Sequence, residues 1–429
     1  MPEPSGPQAQ PLTRAAARPR PKGARRTVAQ RSQDTGAVGG NGAEGSDGGP
    51  STQPRPWRGE AAELREAGEG GLADKPSEPS AGGLAGRPPR FGLCVPVFAN
   101  PGPAFFRTPA WTKLEPQRAI DAAVAAERLG YDSIWVADHL MHGYDDAILE
   151  GWTTLTVIAG RTSRVRLGTI HLAQPFRAPA MAAKMAASLD ALSAGRLIFF
   201  YDCGWQEPEV RAYGLDWPAE DERIARMEDG LELIQALWSA ETPATFRGRF
   251  FSTNEAICRP GPVQKPRPPI WLGEARHARW LAAIVKYADG WNSVPASPSR
   301  LRDKLSALRA AGQRAGRAIT DLELSLEIQV LIAPTQNEVS AIARHIAALP
   351  PSKRGTPRQD VLQALEADRP LSEVVDDWLV GTPDDVIRQL RVYTELGISH
   401  FMLWFVDFPS LDGLRLFSES VIPTLRSAV

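Results

Sequence analysis

Asp138 and His139 stand side by side directly after the apolar run Ser133 to Val136, where a buried strand would end. A neutral imidazole, with a pKa near 6.5, can give or take a proton at physiological pH, and a neighbouring carboxylate can orient it. The structural alternative is that Asp138 caps the following turn and His139 packs as a strand-end side chain. Three further strand ends carry groups of chemical interest. Thr169, Ile170 and His171 close the run that begins at Val165, and His171 is either a polar group beside a ligand or a polar strand-end residue. Cys203, Gly204 and Trp205 follow Leu197 to Tyr201, with Cys203 readable as a reactive thiol or as a small core residue. Gly273, Glu274, Ala275 and Arg276 follow Pro269 to Leu272. A glycine between strand and helix lets backbone N–H groups approach a phosphate, and Arg276 is a suitable cation for one. Glu274 would repel the same anion unless it points away.

These residues need a scaffold that gathers strand ends at one place. Apolar strand-like runs recur between helical stretches at Phe91 to Val97, Ser133 to Val136, Val165 to Ile170, Leu197 to Tyr201, Pro269 to Leu272, Gly290 to Ser293, Leu322 to Ile332 and His400 to Phe405. Eight buried strands alternating with helices predict an α/β protein with a closed (β/α)8 TIM barrel, whose chemistry lies at the carboxyl ends of the strands. The helices carry their own punctuation. Pro116 opens the first and Gly130 ends it, with Ile120, Ala123, Val124 and Glu127 on one face; Pro179 opens an Ala/Met-rich helix. Thr382-Pro-Asp-Asp385 is a capping box with proline at the first helical position. Two insertions exceed a minimal barrel. Pro243 to Pro262 reads as a hairpin turning at Gly248, and Leu349 to Asp377, rich in proline and charge, is either a substrate lid or a surface excursion.

Residues 1–90 differ in kind: Trp57 is their sole aromatic, they contain no Ile or Cys, and such a chain cannot bury enough apolar surface to offset its ordering entropy. The sequence therefore predicts a disordered tail over 1–90 and the barrel over 91–429. Arg14, Arg18, Arg20, Lys22, Arg25, Arg26 and Arg31 make the start of the tail basic, which is read as a solvated segment. Arg25 and Arg26 are followed by no apolar stretch of the kind an export signal needs. No apolar run approaches the roughly 20 residues that span a bilayer. A net charge of -1 gives no general attraction for nucleic acid, and three cysteines without short metal-ligand spacing predict a reduced, cytoplasmic protein without a metal site. Small-molecule chemistry is the expectation.

The stretch from Gly168 to Trp205, GTIHLAQPFRAPAMAAKMAASLDALSAGRLIFFYDCGW, resembles the luciferase-like monooxygenase family, as do Gly130 to His139, Gln264 to Gly273 and Tyr287 to Asn292. The resemblance runs from Phe91 to the C-terminus. It implies an oxidoreductase, a monooxygenase or a dehydrogenase/reductase, that uses a deazaflavin (coenzyme F-420) in first place and FMN in second, acting on a small organic substrate, and a possible homodimer. It implies His139 as general acid/base with Asp138 orienting it, and Thr169, Ile170, Gly204, Trp205, Gly273 and Arg276 as cofactor contacts. A cis peptide bond without proline is implied near Thr169 to His171. The chain departs from the family at Phe200 and Asp202, where relatives place glycines that make room for a flat ring, and at Glu274, where they continue with glycine. Those departures support an alternative: a barrel without cofactor, serving as a non-redox binding or assembly protein.

Overall fold

The computed structural model describes residues 88–274, 277–352 and 355–427, so most of the tail expected over 1–90 lies outside the described residues. Eight parallel strands close on themselves: β1 (Arg90–Cys94), β2 (Ser133–Ala137), β3 (Arg166–Ile170), β4 (Leu197–Asp202), β5 (Ile270–Gly273), β6 (Gly290–Ser293), β7 (Glu323–Ile332) and β8 (His400–Phe405). Closure is made by β7, which pairs with β6 through Glu323–Leu326 and with β8 through Ser325–Val330, while β8 pairs with β1. The expected (β/α)8 barrel is the fold, and all eight expected strands are present.

Two tryptophans fill the middle of the barrel. Trp135 on β2 and Trp271 on β5 lie with ring centroids 5.1 Å apart. They fit because the neighbouring strand carries glycine at the paired position, Gly168 beside Trp135 and Gly290 beside Trp271. A Cβ on Gly168 would lie 2.3 Å from the Trp135 ring, and one on Gly290 would lie 2.3 Å from the Trp271 indole nitrogen. Below them, at the amino ends of the strands, Glu323 binds Arg90 (3.0 Å), Arg166 (3.0 Å) and His400 Nδ1 (2.9 Å). Burial alone would raise the Glu323 carboxyl, but Arg166, His400 and Arg90 outweigh it and hold it well below the usual range. That end of a barrel holds the fold together; chemistry belongs at the other.

Helix α1 (Pro116–Arg128) buries Ala119, Ile120, Ala122, Ala123 and Ala126, and α3 (Pro179–Leu192) starts at its expected proline. The expected α1 face is rotated: Val124 is only half-buried, and Glu127 instead accepts from the N–H groups of Ser163, Arg164 and Val165. Between them, α2 (Gly151–Arg161) is capped by Glu150, whose side chain accepts from Trp152 and Thr153. Helix α4 (Glu207–Ala212) follows β4, and α5 (Glu220–Ser239) precedes the hairpin of Ala244–Arg247 with Ser252–Ala256, which turns at Gly248 as expected. After α6 (Ala278–Tyr287), α7 (Pro298–Ala315) and α8 (Gln336–Ala347), the second insertion forms α9 (Gln359–Glu366) and leads into an extra strand, Trp378–Gly381, paired to the carboxyl end of β7. Val361, Ala364 and Leu371 join Val339 and Ile346 of α8 in a second apolar cluster that includes Phe105. Ser352 and Arg358 donate backbone bonds to Pro101 and Pro103, so the insertion is tied to the loop after β1 at the barrel mouth. The capping box of Thr382 and Asp385 starts α10 (Pro383–Glu395) as the sequence predicts.

Candidate active site

A pocket at the carboxyl ends of β2, β3 and β4 is lined by Asp138, His139, His171, Asp202, Gly204 and Trp205, among others. His139 is 8% exposed and stands edge-on to Trp205, whose ring is 5.2 Å away and 48% exposed to solvent. Its other side is stacked on His142, with centroids 4.8 Å apart and an interplanar angle of 14°. The imidazole is fixed by Glu209: Nδ1 lies 2.7 Å from Oε1, while Oε2 accepts from the N–H groups of Leu140 (2.8 Å) and Met141 (3.1 Å). Glu209 is 2% exposed, so this carboxylate is spent entirely on the His139 loop.

The expected role of Asp138 is corrected by this geometry. Its carboxylate turns away from His139 to a bidentate pair with Arg177 (2.8 Å for each oxygen) and accepts from Ala173 N–H at 3.0 Å. The reason is local: successive residues leaving a strand point to opposite sides. Asp138 therefore ties the end of β2 to the segment after β3, and Glu209 is the orienting carboxylate. Arg177 also pairs with Glu150. Burial would lower the Arg177 guanidinium, but these carboxylates outweigh that and hold it above its usual value.

The other expected contacts divide. Gly204 lines the pocket with φ at +81°, and its N–H donates a turn-closing bond to Asp202 Oδ1 at 2.7 Å. Asp202 thus faces the pocket, with His171 Nδ1 3.9 Å from its other oxygen. The Ile170–His171 bond is cis, at the implied position. Gly168 faces Trp135 inside the barrel, so by strand alternation the buried Thr169 side chain is turned toward the helices. Gly273 borders Phe200 and His171, and a Cβ there would meet them at 3.1 and 3.2 Å. Phe200 is fully buried, 4.3 Å from the His171 ring, and occupies barrel interior beneath the mouth. Arg276 lies outside the described residues.

Glu274 does point away. Its carboxylate meets Lys304 of α7 at 2.6 Å and the N–H of Val294 at 3.1 Å, and its own φ of +61° turns the chain at that point. The sequence reading did not identify Glu209, Arg177 or His142. A weak signal for Glu209 existed, since acidic residues cluster in the first turn of α4, but there they satisfy a helix start and announce nothing else.

The luciferase-like monooxygenase family model matches residues 99–400. An F420-dependent glucose-6-phosphate dehydrogenase of Nakamurella multipartita is 31% identical over 326 residues, covering 73% of this chain and 94% of that protein. One of the same name from Amycolatopsis mediterranei is 28% identical over 325 residues, 73% and 95% of the two chains. Among solved structures, an F420-dependent secondary alcohol dehydrogenase in complex with an F420-acetone adduct aligns with a TM-score of 0.61 at 21% identity, covering 79% of this chain and 99% of that one. An EDTA monooxygenase from Chelativorans aligns with a TM-score of 0.63 at 18% identity, covering 80% and 94%. The eight-stranded barrel, the cis bond after Ile170 and the histidine at the end of β2 converge with the match across residues 99–400: this chain belongs to the luciferase-like monooxygenase family.

Proposed function

We propose that this protein is an oxidoreductase exchanging hydride between a deazaflavin coenzyme and a small organic substrate, with His139 moving the substrate proton and Glu209 holding His139 in the working tautomer. FMN is the second cofactor choice, and with it oxygen-dependent monooxygenation becomes the alternative reaction. The observation that carries the reading is the buried Glu209 carboxylate 2.7 Å from His139 Nδ1, which leaves Nε2 as the proton-handling atom. The relatives named as F420-dependent dehydrogenases, 28 to 31% identical over most of the barrel, support the deazaflavin.

The residues present fit a flat, partly anionic cofactor. Gly204 and Gly273 leave backbone bare at two strand ends, Trp205 offers an exposed aromatic face, and the Glu274 charge is cancelled by Lys304. Ile170, Gly204, Trp205 and Gly273 would hold the ring, with Thr169 contributing backbone only and Arg276 remaining the candidate for the anionic tail. The cofactor supplies the hydride chemistry, while the protein orients it and excludes water. Asp138 acts on the site as a positioning residue through Arg177 and Ala173. Of Phe200, Asp202 and Glu274, the evidence for a barrel without cofactor, Phe200 is buried beneath the mouth, Asp202 lines the pocket beside His139 and Gly204, and Glu274 is turned to Lys304. Tryptophan-fluorescence titration of the protein with oxidised deazaflavin coenzyme and, separately, FMN tests this. Saturable quenching at micromolar concentration by one of them is expected; binding of neither would refute the assignment.

A further inference from the structure

Three cations are half-buried around the barrel mouth, and each has its own carboxylate: Arg177 with Asp138 at 2.8 Å, Lys304 with Glu274 at 2.6 Å, and Arg107 with Glu327 at 2.9 Å. Arg107 differs from the other two in what its head group still has to give. It sits on the loop after β1 with φ at +59°, and its backbone N–H is bonded to Gln329 Oε1 at 2.8 Å. Its guanidinium lies over the rings of Phe106 and Trp404, 5.2 and 5.4 Å from their centroids, and the side chain is only 12% exposed. Glu327 projects from β7 and also accepts from Trp404 Nε1 at 2.6 Å, on the same oxygen, Oε1, that faces Arg107 Nη2, so that oxygen is shared between the two donors. The Arg107 Nη1 atom, by contrast, is buried and has no acceptor among the described residues. A buried guanidinium N–H without an acceptor is costly, and a structure retains one where a ligand oxygen completes it.

The position is right for a substrate. Phe106, under the guanidinium, is 5.9 Å from the His142 ring, and His142 stacks on His139 at 4.8 Å, so an aromatic wall leads from Arg107 to the proton-transferring imidazole. The electrostatics are equally specific. With Glu327 in contact, the pair is neutral, and a phosphate dianion brought to Nη1 would meet the carboxylate as well as the arginine. Asp202 and Glu209 add two more acids to the same mouth. A fourth cation, the buried Arg223 of α5, is spent on the Trp217 ring and the Pro218 carbonyl.

We propose that Arg107 is a substrate-binding residue, made neutral by Glu327, whose free N–H edge receives an uncharged carbonyl or hydroxyl oxygen, so that this site takes neutral alcohols or carbonyl compounds and rejects phosphate esters. The inference rests on the oxidoreductase reading only for the word substrate, and separates this chain from its relatives named for glucose 6-phosphate. It is tested without cofactor by following the thermal unfolding midpoint and, by calorimetry, heat of binding against inorganic phosphate for wild type, Glu327→Gln, Glu327→Met and the double variant Arg107→Met/Glu327→Gln. Both single variants, by releasing the arginine charge, are expected to bind phosphate at least about tenfold more tightly than wild type, and the double variant is expected to lose that gain. Phosphate binding by the wild type as tight as by the single variants would overturn the proposal. So would the absence of any gain in whichever single variant folds. Failure of the redox reading would show instead in the cofactor titration, which these variants leave untouched.

Discussion

Replacing Glu209 by glutamine separates charge from shape at the candidate site. The carboxylate serves three donors, with one oxygen on His139 Nδ1 at 2.7 Å and the other on the N–H groups of Leu140 and Met141 at 2.8 and 3.1 Å. A glutamine has one oxygen, and the two backbone donors compete for it most strongly because they converge on a single point. Its NH2 group then faces His139 Nδ1 and donates to it, which moves the imidazole proton to Nε2 and removes the lone pair that would accept a substrate proton. The arrangement costs about 1 to 3 kcal/mol of stability if instead one donor is left unmade. Turnover is expected to fall roughly 100-fold, on the scale of a lost general base, with coenzyme affinity unchanged. The assay is reduction of the oxidised deazaflavin followed by its absorbance, with a small neutral secondary alcohol as hydride donor, beside a fluorescence titration of the coenzyme. Wild-type turnover in Glu209→Gln at equal coenzyme affinity would refute the tautomer argument.

His139→Ala is expected to keep coenzyme affinity and to lower turnover about 100-fold; undiminished turnover in the same assay removes His139 from the mechanism. Phe200→Ala should cost about 3 to 5 kcal/mol in urea unfolding, because the ring is fully buried against His171, Trp135 and Trp271, and should bind a flat ring more tightly by opening space beside Gly273. Weaker or equal ring binding would show that Phe200 never obstructed the mouth. Asp407, just beyond β8, is pushed by burial from 3.8 to about 6, so the fold favours its protonated form. Because the folded value lies above the unfolded one, that contribution is complete below pH 3.8 and is lost as the pH rises through about 6. Asparagine keeps an acceptor for the Gly413 N–H at 3.0 Å, so Asp407→Asn should be more stable than wild type at pH 8, by about 1 to 2 kcal/mol, with the gain shrinking at pH 5. Urea unfolding at the two pH values checks it; equal stability at pH 8 contradicts the sign.

The barrel was legible because buried parallel strands are apolar on both faces and show as short unbroken runs, and because Pro116, Pro179 and the Thr382 box mark helix starts by their own backbone chemistry. The site was legible only as a set of strand ends. His139 was found since it follows β2, but its partner is 70 residues away in sequence, and the partner of Asp138 is 39 away. Neither separation leaves a pattern in one chain. Adjacency was misleading for a physical reason: at the end of a strand the neighbour in sequence points to the other side of the sheet, so it is the residue least able to reach its companion. The same alternation sent Thr169 toward the helices while placing Gly168 against Trp135. Glu274 shows the converse, since its sign suggested repulsion of an anion until Lys304, 30 residues on, was seen to cancel it. In a closed barrel, strand-end position identifies which residues enter the mouth, and only the helices and loops returning from far along the chain decide which of those residues are free to act.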